Sequence, residues 1–154
     1  METIYFAAGC FWGVQDKFKN TPGVIETSSG YMGGSVENPT YKQVCTGDTG
    51  HAEVVEVKFD SQVISLEQLL GIFWDLHDPT SLNKQGPDLG TQYRSAIFYT
   101  NEEQLQLVNK SKDLVQPKFK NQIVTEVTLA PTFYPAEEYH QCYLEKNGKG
   151  SCKL

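Results

Sequence analysis

A cysteine followed by two aromatic residues is the most reactive arrangement in this chain. Cys10 directly precedes Phe11 and Trp12. Residues 3–6 are typical of a strand and residues 11–20 of a helix, so Cys10 is predicted at a strand-to-helix turn. The N–H groups and dipole at a helix N-terminus favour the thiolate, which is the nucleophilic form of cysteine. Such a thiolate beside aromatic rings suits a substrate with a small apolar group; the alternative is a buried structural cysteine.

A carboxyl group suited to proton transfer lies on a second predicted strand, residues 51–59. Along this strand Glu53 shares a face with Val55 and Val57, whereas Glu56 belongs to the opposite face. A carboxyl on an apolar face loses solvation, which raises its pKa and favours the protonated acid. The pattern makes Glu53 a candidate general acid, and the alternative is a solvated residue at a frayed strand end.

Two long segments punctuated by glycine and proline, residues 35–50 and 78–90, exceed usual connection lengths and therefore indicate functional loops. Tyr41 lies in the first loop, and Asp88 and Tyr93 lie around the end of the second. A tyrosine supplies a phenol donor and a ring that lines a pocket, while an aspartate orients a water or a neighbour. Turn chemistry for Asp88 and simple packing for the tyrosines are the alternatives.

The remaining cysteines differ in their settings. Cys152 lies in a glycine-rich C-terminal sequence, which suits a resolving thiol that must reach another sulfur. Cys142, on a predicted short helix, is a second candidate, and Cys45 is expected to be structural. The chain has no Cys-x-x-Cys pair and no zinc-type Cys/His spacing, so no metal is predicted.

Three histidines, His51, His77 and His140, leave a cysteine–histidine hydrolase open as a further hypothesis. None of them stands at a spacing that ties it to Cys10. Each is therefore expected to be a structural hydrogen-bonding residue, and the hydrolase ranks behind thiol redox chemistry.

Composition limits the class of protein. Thirteen Lys and Arg against nineteen Asp and Glu give a net charge of −6, which argues against nucleic-acid binding. No apolar run has the length of a membrane span, and the N-terminus lacks the features of a signal peptide, so a cytoplasmic protein is expected. The 154 residues are predicted to form a single domain, 1–154, with a flexible tail from about residue 146. A monomer is expected.

The order of the predicted elements favours an α+β fold. Strands and helices alternate imperfectly, which indicates a two-layer sandwich with a split βαβ (ferredoxin-like) core and long loops. Ser65 and Gln68 form a capping-box signature at the start of a helix with an apolar stripe. Further along, the sequence predicts a strand at 94–99, a helix at 101–116, a strand within 123–129 and a short helix that begins at Pro135.

Five motifs of this chain occur in the order that characterises one enzyme family. They span residues Gly9 to Gly13, Gly50 to Glu53, His77 to Thr80, Asp88 to Ser95 and Tyr139 to Gln141. From about Tyr5 to Tyr143 the chain resembles peptide methionine sulfoxide reductase A. The resemblance implies an α+β sandwich with a split βαβ core, and reduction of the S epimer of methionine sulfoxide, free or in proteins, to methionine.

The resemblance also implies a role for each matching residue. Cys10 would attack the sulfoxide sulfur, Glu53 would protonate the oxygen, and Phe11 and Trp12 would hold the S-methyl group. Support for the oxygen would come from three further residues, Tyr41, Tyr93 and, through a water, Asp88. The resulting sulfenic acid would be resolved by Cys152, with Cys142 as a second candidate for recycling, and a thioredoxin-type dithiol would reduce the disulfide. No metal or organic cofactor is implied.

The chain departs from the common family pattern at two positions. Gln15 stands where many members have glutamate, which we interpret as a surface change, and Cys142 stands where glutamine is frequent.

The rival hypothesis is a redox sensor or a module that binds oxidised methionine through a reactive Cys10 without turnover.

Overall fold

The computed structural model describes residues 1–144; the predicted flexible tail from about residue 146, including Cys152, lies outside the described residues. The strands are β1 (Glu2–Ala8), β2 (Val24–Met32), β3 (Ala52–Phe59), β4 (Lys84–Gln85), β5 (Asp88–Leu89), β6 (Ser95–Tyr99), β7 (Glu126–Leu129) and β8 (Tyr134–Pro135). The helices are α1 (Phe11–Lys19), α2 (Tyr41–Cys45), α3 (Leu66–Leu76) and α4 (Glu102–Val115), with 3₁₀ turns at Thr91–Tyr93, Gln116–Lys118 and Glu138–His140.

Six strands form one mixed sheet in the order β7-β6-β1-β3-β2-β8. Strands β1 and β2 both pair antiparallel with β3, so they run parallel to each other with β3 between them. Helix α1 connects them, which makes β1-α1-β2 a split βαβ unit. Strands β3 and β6 both flank β1, and β1 pairs antiparallel with each of them, so they form the second split pair. The α+β sandwich with a split βαβ core is thus confirmed.

The main core lies between the sheet and the helices. Phe6 of β1 stacks against Phe18 of α1 at 4.9 Å between ring centroids and against Phe73 of α3 at 5.1 Å. Val55 and Val57 of β3 point into the same core. Because side chains alternate along a strand, Glu53 lies on this helix-facing side of β3 as well.

The opposite face of the sheet has a smaller core. It contains Ala7, Met32, Ala52, Val54, Ala96 and Phe98, and Phe133 packs against it from the segment before β8. The two faces of the sheet are therefore covered by different structural elements, helices on one side and an irregular C-terminal segment on the other.

Local sequence signals explain most element boundaries. Ser65 and Gln68 form the predicted capping box of α3, and Thr40 and Gln43 form a second capping box that begins α2 inside the first long loop. Within residues 1–144, no helix combines the length and apolar character needed to cross a bilayer.

The predicted short helix at Pro135 is wrong. Pro135 instead ends the edge strand β8, where it pairs with Gly30 of β2, and edge strands tolerate a residue without an N–H. Glu137 precedes a single 3₁₀ turn, Glu138–His140, and Cys142 follows this turn with φ of +53°. Pairing with β2 has overridden the local helix signal, so Cys142 does not lie on the predicted helix.

Candidate active site

Cys10 occupies the turn between β1 and α1. It is the N-cap residue of α1, and the preceding Gly9 has a φ of +94°, a left-handed conformation that favours glycine. Cys10 is 8% exposed and takes part in a disulfide, whereas Cys45 and Cys142 are free thiols. The strand-to-helix turn predicted from the sequence is confirmed.

Glu53 lies directly beneath the start of α1. Its Oε1 accepts a hydrogen bond from the backbone N–H of Phe11 at 3.1 Å. The side chain is 2% exposed, and Oε2 has no hydrogen-bond partner within the part of the chain that the structure describes. Burial raises the pKa of Glu53 to about 8, against the lowering effect of the Phe11 N–H, and the charge of Asp88 adds to the rise. The carboxyl next to Cys10 therefore carries a proton at neutral pH.

The two loop tyrosines lie near this carboxyl. Tyr41 is the first residue of α2, and Tyr93 ends the 3₁₀ turn after β5. Burial first, and then the charge of Glu53, raises the pKa of both phenols. Both side chains stay protonated and can donate a hydrogen bond.

Asp88, in β5, is the third loop residue that the structure brings to Glu53. Its pKa is raised by burial, and its charge in turn raises the pKa of Glu53. Since β5 forms a hairpin with β4 inside the second long loop, this short hairpin determines where the Asp88 carboxyl lies.

The aromatic residues after Cys10 point to different places. Phe11 is buried in the main core, with its ring 5.7 Å from Tyr31 and 6.2 Å from Tyr41. Trp12 is only partly buried, and its indole stacks on Tyr143 at 3.8 Å. Phe11 therefore forms the base of an aromatic cluster, and Trp12 forms its outer edge.

His140, predicted to be a structural hydrogen-bonding residue, does bond Trp12, but its place in this aromatic cluster was not predicted from the sequence. Its Nδ1 accepts a hydrogen bond from the Trp12 indole N–H at 3.0 Å, and its ring lies 4.2 Å from Tyr41. Burial lowers the pKa of His140, although Glu137 opposes this effect. Its spacing from Cys10 gave no signal; the only indication was its place in the last of the five motifs.

His51 and His77 are structural, as predicted. The His51 ring accepts from the N–H of Gly34 at 3.0 Å and donates to the carbonyl of Val36 at 2.7 Å, which fixes the first long loop. His77 bonds the carbonyl of Phe73 and the hydroxyl of Ser95.

The interpretation of Gln15 as a surface residue is wrong. Its side chain is fully buried, and its Oε1 accepts from the N–H of Cys142 at 2.7 Å. Its Nε2 lies within hydrogen-bond distance of Thr27 on β2. The signal was present in the helical spacing of the apolar residues Phe11, Val14 and Phe18, which places position 15 on the buried face of α1.

Cys45, expected to be structural, lies at the end of α2. Burial raises the pKa of its thiol, although a hydrogen bond from Tyr41 lowers it in part, so the thiol is not activated. Among residues 1–144 no group of three or more His, Cys, Asp and Glu side chains is arranged to hold a metal ion.

Comparison with known proteins assigns the family. The family model described as "Peptide methionine sulfoxide reductase" matches residues 2–154. The chain belongs to the peptide methionine sulfoxide reductase family. It is 56% identical over 155 residues to MsrA of Methanothermobacter thermautotrophicus, covering 99% of this chain and 92% of that protein. It is 58% identical over 150 residues to MsrA of Pasteurella multocida, covering 97% and 86%. Proteins of this name are oxidoreductases that reduce methionine sulfoxide.

Solved structures agree with this assignment. Methionine sulfoxide reductase A of Corynebacterium diphtheriae superposes with a TM-score of 0.94 at 41% identity, over 98% of this chain and 77% of that one. Mxr1 of Saccharomyces cerevisiae in complex with Trx2 gives a TM-score of 0.66 at 26% identity, over 92% and 84%.

Proposed function

We propose that this chain, acting as one domain, reduces the S epimer of methionine sulfoxide, free or in proteins, through a nucleophilic Cys10. The observation that carries the proposal is Glu53, a buried carboxyl with a pKa raised to about 8 beside the turn that Cys10 caps. A sulfoxide oxygen leaves poorly until it is protonated, so the reaction needs an acid and a thiolate in one site.

In the first step the Cys10 thiolate attacks the sulfoxide sulfur while Glu53 delivers a proton to the oxygen. The buried Oε2 of Glu53, which has no hydrogen-bond partner among the described residues, is the atom available for this contact. The sulfoxide sulfur gains two electrons and leaves as methionine, and the oxygen ends on Cys10 as a sulfenic acid. The Cys10 sulfur loses these two electrons and is thereby oxidised.

The neighbouring side chains bind and orient the substrate. Trp12 at the outer edge of the aromatic cluster, together with Phe11 at its base, is suited to the S-methyl group. Tyr41 and Tyr93, kept protonated by their raised pKa values, donate to the oxygen, and Asp88 assists through a water.

Recycling is proposed to pass through a disulfide. Cys152 condenses with the Cys10 sulfenic acid, releasing water, and a thioredoxin reduces the product. One solved relative is Mxr1 in complex with Trx2, which supports a thioredoxin as reductant. Cys142, a free thiol after the 3₁₀ turn, is the second candidate for recycling. Turnover would make the chain a repair enzyme for oxidised proteins.

The roles of these two cysteines separate in a recycling assay. We expect Cys152→Ala to release about one methionine per enzyme and then stop when thioredoxin is the reductant, because the sulfenic acid has no partner thiol. Cys142→Ala should turn over normally. Normal multiple turnover by Cys152→Ala would move the resolving role to Cys142 or to direct reduction of the sulfenic acid.

The proposed reaction is tested by giving the purified protein each epimer of methionine sulfoxide with dithiothreitol and measuring methionine by chromatography. Methionine from the S epimer alone is expected. No methionine from either epimer, with Cys10 reduced and the protein folded, would favour the rival sensor or binding module.

A further inference from the structure

Glu137 is a second carboxyl at the aromatic cluster, and no step of the proposed reaction uses it. It lies on the irregular segment after β8, half-buried, with both carboxylate oxygens occupied. Oε1 accepts from the hydroxyl of Tyr31 at 2.9 Å, and Oε2 accepts from the backbone N–H of Tyr41 at 3.1 Å. One carboxylate thus joins a strand of the sheet to the first residue of α2.

The segment that carries Glu137 is itself held to the sheet. The N–H of Ala136 donates to the carbonyl of Ser29 at 2.8 Å. The side chain of Gln141 then brackets Ser29, accepting from its N–H at 2.9 Å and donating to its carbonyl at 2.8 Å. Residues on both sides of Glu137 are therefore bonded to β2, so its carboxylate is presented from a fixed position.

The other polar ties of the α2 region are longer and uncharged. The hydroxyl of Thr91 reaches the carbonyl of Gly47, and the side-chain amide of Gln92 reaches the carbonyl of Cys45, both at 3.4 Å. Hydrogen bonds to an ionised group are about twice as strong as neutral ones, so the Glu137 contact is the main polar restraint on α2.

The ring that this restraint positions lies in the centre of the site. Tyr41 has its ring 4.2 Å from His140, 6.2 Å from Phe11 and 6.3 Å from Trp12. A shift of α2 would move the Tyr41 hydroxyl relative to Glu53. Misplacement of a catalytic donor by about 1 Å is enough to slow a reaction severely.

We infer that Glu137 is a positioning residue, whose carboxylate fixes Tyr41 in the site by bonding its backbone N–H while bonding Tyr31. The inference rests on the proposed function, because Tyr41 enters there as a donor to the sulfoxide oxygen. Glutamine at position 137 has no charge, so the bond that it can still accept from the Tyr41 N–H is a neutral one, about half as strong, and the restraint on α2 is weakened.

A double-mutant cycle tests this inference through the rate of methionine release in a single turnover. We expect Glu137→Gln to lower the limiting rate constant about fivefold and Tyr41→Phe about tenfold, with little change in the half-saturating sulfoxide concentration. If Glu137 acts through Tyr41, the two losses do not multiply, and adding Glu137→Gln to Tyr41→Phe costs less than twofold.

Two controls are available in the same site. Glu138→Gln changes the adjacent, exposed glutamate and should leave the rate unchanged. Combined with Tyr93→Phe, Glu137→Gln should keep most of its fivefold effect, because the turn that carries Tyr93 contacts the α2 region only through the two longer, uncharged bonds of Thr91 and Gln92. Tyr31→Phe, which removes one donor from Glu137, provides a milder variant with an expected loss of about twofold if Glu137→Gln folds poorly.

Losses that multiply fully in the Tyr41→Phe background would overturn the inference, as would an unchanged rate for folded Glu137→Gln. Failure of the proposed function is distinguishable, because the wild-type protein itself would then release no methionine.

Discussion

Two carboxyl groups lie at the same aromatic cluster, and their protonation states are opposite. Within residues 1–144, Glu53 has one hydrogen bond and one oxygen without a partner; it is almost fully buried, and its pKa is raised to about 8. Burial also acts to raise the pKa of Glu137, but bonds from its own backbone, the Tyr41 N–H and the Tyr31 hydroxyl lower it below the ordinary value. The number of donors and the access to water, not the residue type, decide which glutamate holds a proton.

Tyr31 connects the two carboxyls. It is the cross-strand partner of Glu53 in the β2–β3 register, and its hydroxyl donates to Glu137. The regular strand β3 buries Glu53 below the helices, whereas the irregular segment after β8 leaves Glu137 near solvent. A regular strand thus supplies the acid, and an irregular segment supplies a carboxylate whose pKa is lowered.

The largest expected effect comes from removing the nucleophile, Cys10, which reacts together with the acid Glu53. Cys10→Ser should abolish methionine release from S-methionine sulfoxide while circular dichroism stays native, because a serine hydroxyl is a far weaker nucleophile than a thiolate. Cys45→Ser is the matched control and should keep its activity, because the serine hydroxyl can still accept the hydrogen bond from Tyr41. Full activity in Cys10→Ser would remove Cys10 from the reaction.

A smaller effect is expected when the acid alone is changed. Glu53→Gln should lower the single-turnover rate about 100-fold at pH 7, because an amide can donate a hydrogen bond but cannot deliver a proton. In the wild-type protein the rate should fall as pH rises through about 8, where Glu53 ionises, and the variant should lack this limb. Rates measured from pH 6 to about 9.5 check both statements. A wild-type rate that does not fall as pH rises across that range would exclude the acid role of Glu53.

The smallest effect concerns stability. The pKa of Glu53 is higher in the folded protein than in the unfolded one. At pH values between these two pKa values the folded protein binds more protons than the unfolded protein, so stability falls as pH rises toward 8. Glu53→Gln should therefore melt roughly 4 °C above the wild-type protein at pH 8, with a smaller difference at pH 5. Glu137→Gln should instead lower the melting temperature at both pH values, since its carboxylate is ionised and bonded. Equal melting shifts for the two variants would contradict the difference in protonation.

The sequence predicted those features that depend on local periodicity. The turn at Cys10, the buried face that carries Glu53 and the capping box at Ser65 all follow from spacings of a few residues. The split βαβ core follows from the order of such elements.

The features that sequence analysis missed depend on long-range contacts. Glu137 bonds Tyr31 across 106 residues and Tyr41 across 96, and Gln15 bonds Cys142 across 127. The wrong short helix at Pro135 has the same origin, since pairing with β2 removed the segment from helical geometry. No local pattern encodes these partners; only the buried position of Gln15 was readable from the α1 spacing.

The measurement that tests this account most directly is a carbon-13 NMR titration of the glutamate carboxyls in the reduced protein, with Glu53→Gln and Glu137→Gln assigning the two signals. We expect Glu53 to titrate near pH 8 and Glu137 to titrate below the ordinary range of a glutamate. Ordinary titration of Glu53 between about 4 and 5 would contradict its role as the proton donor.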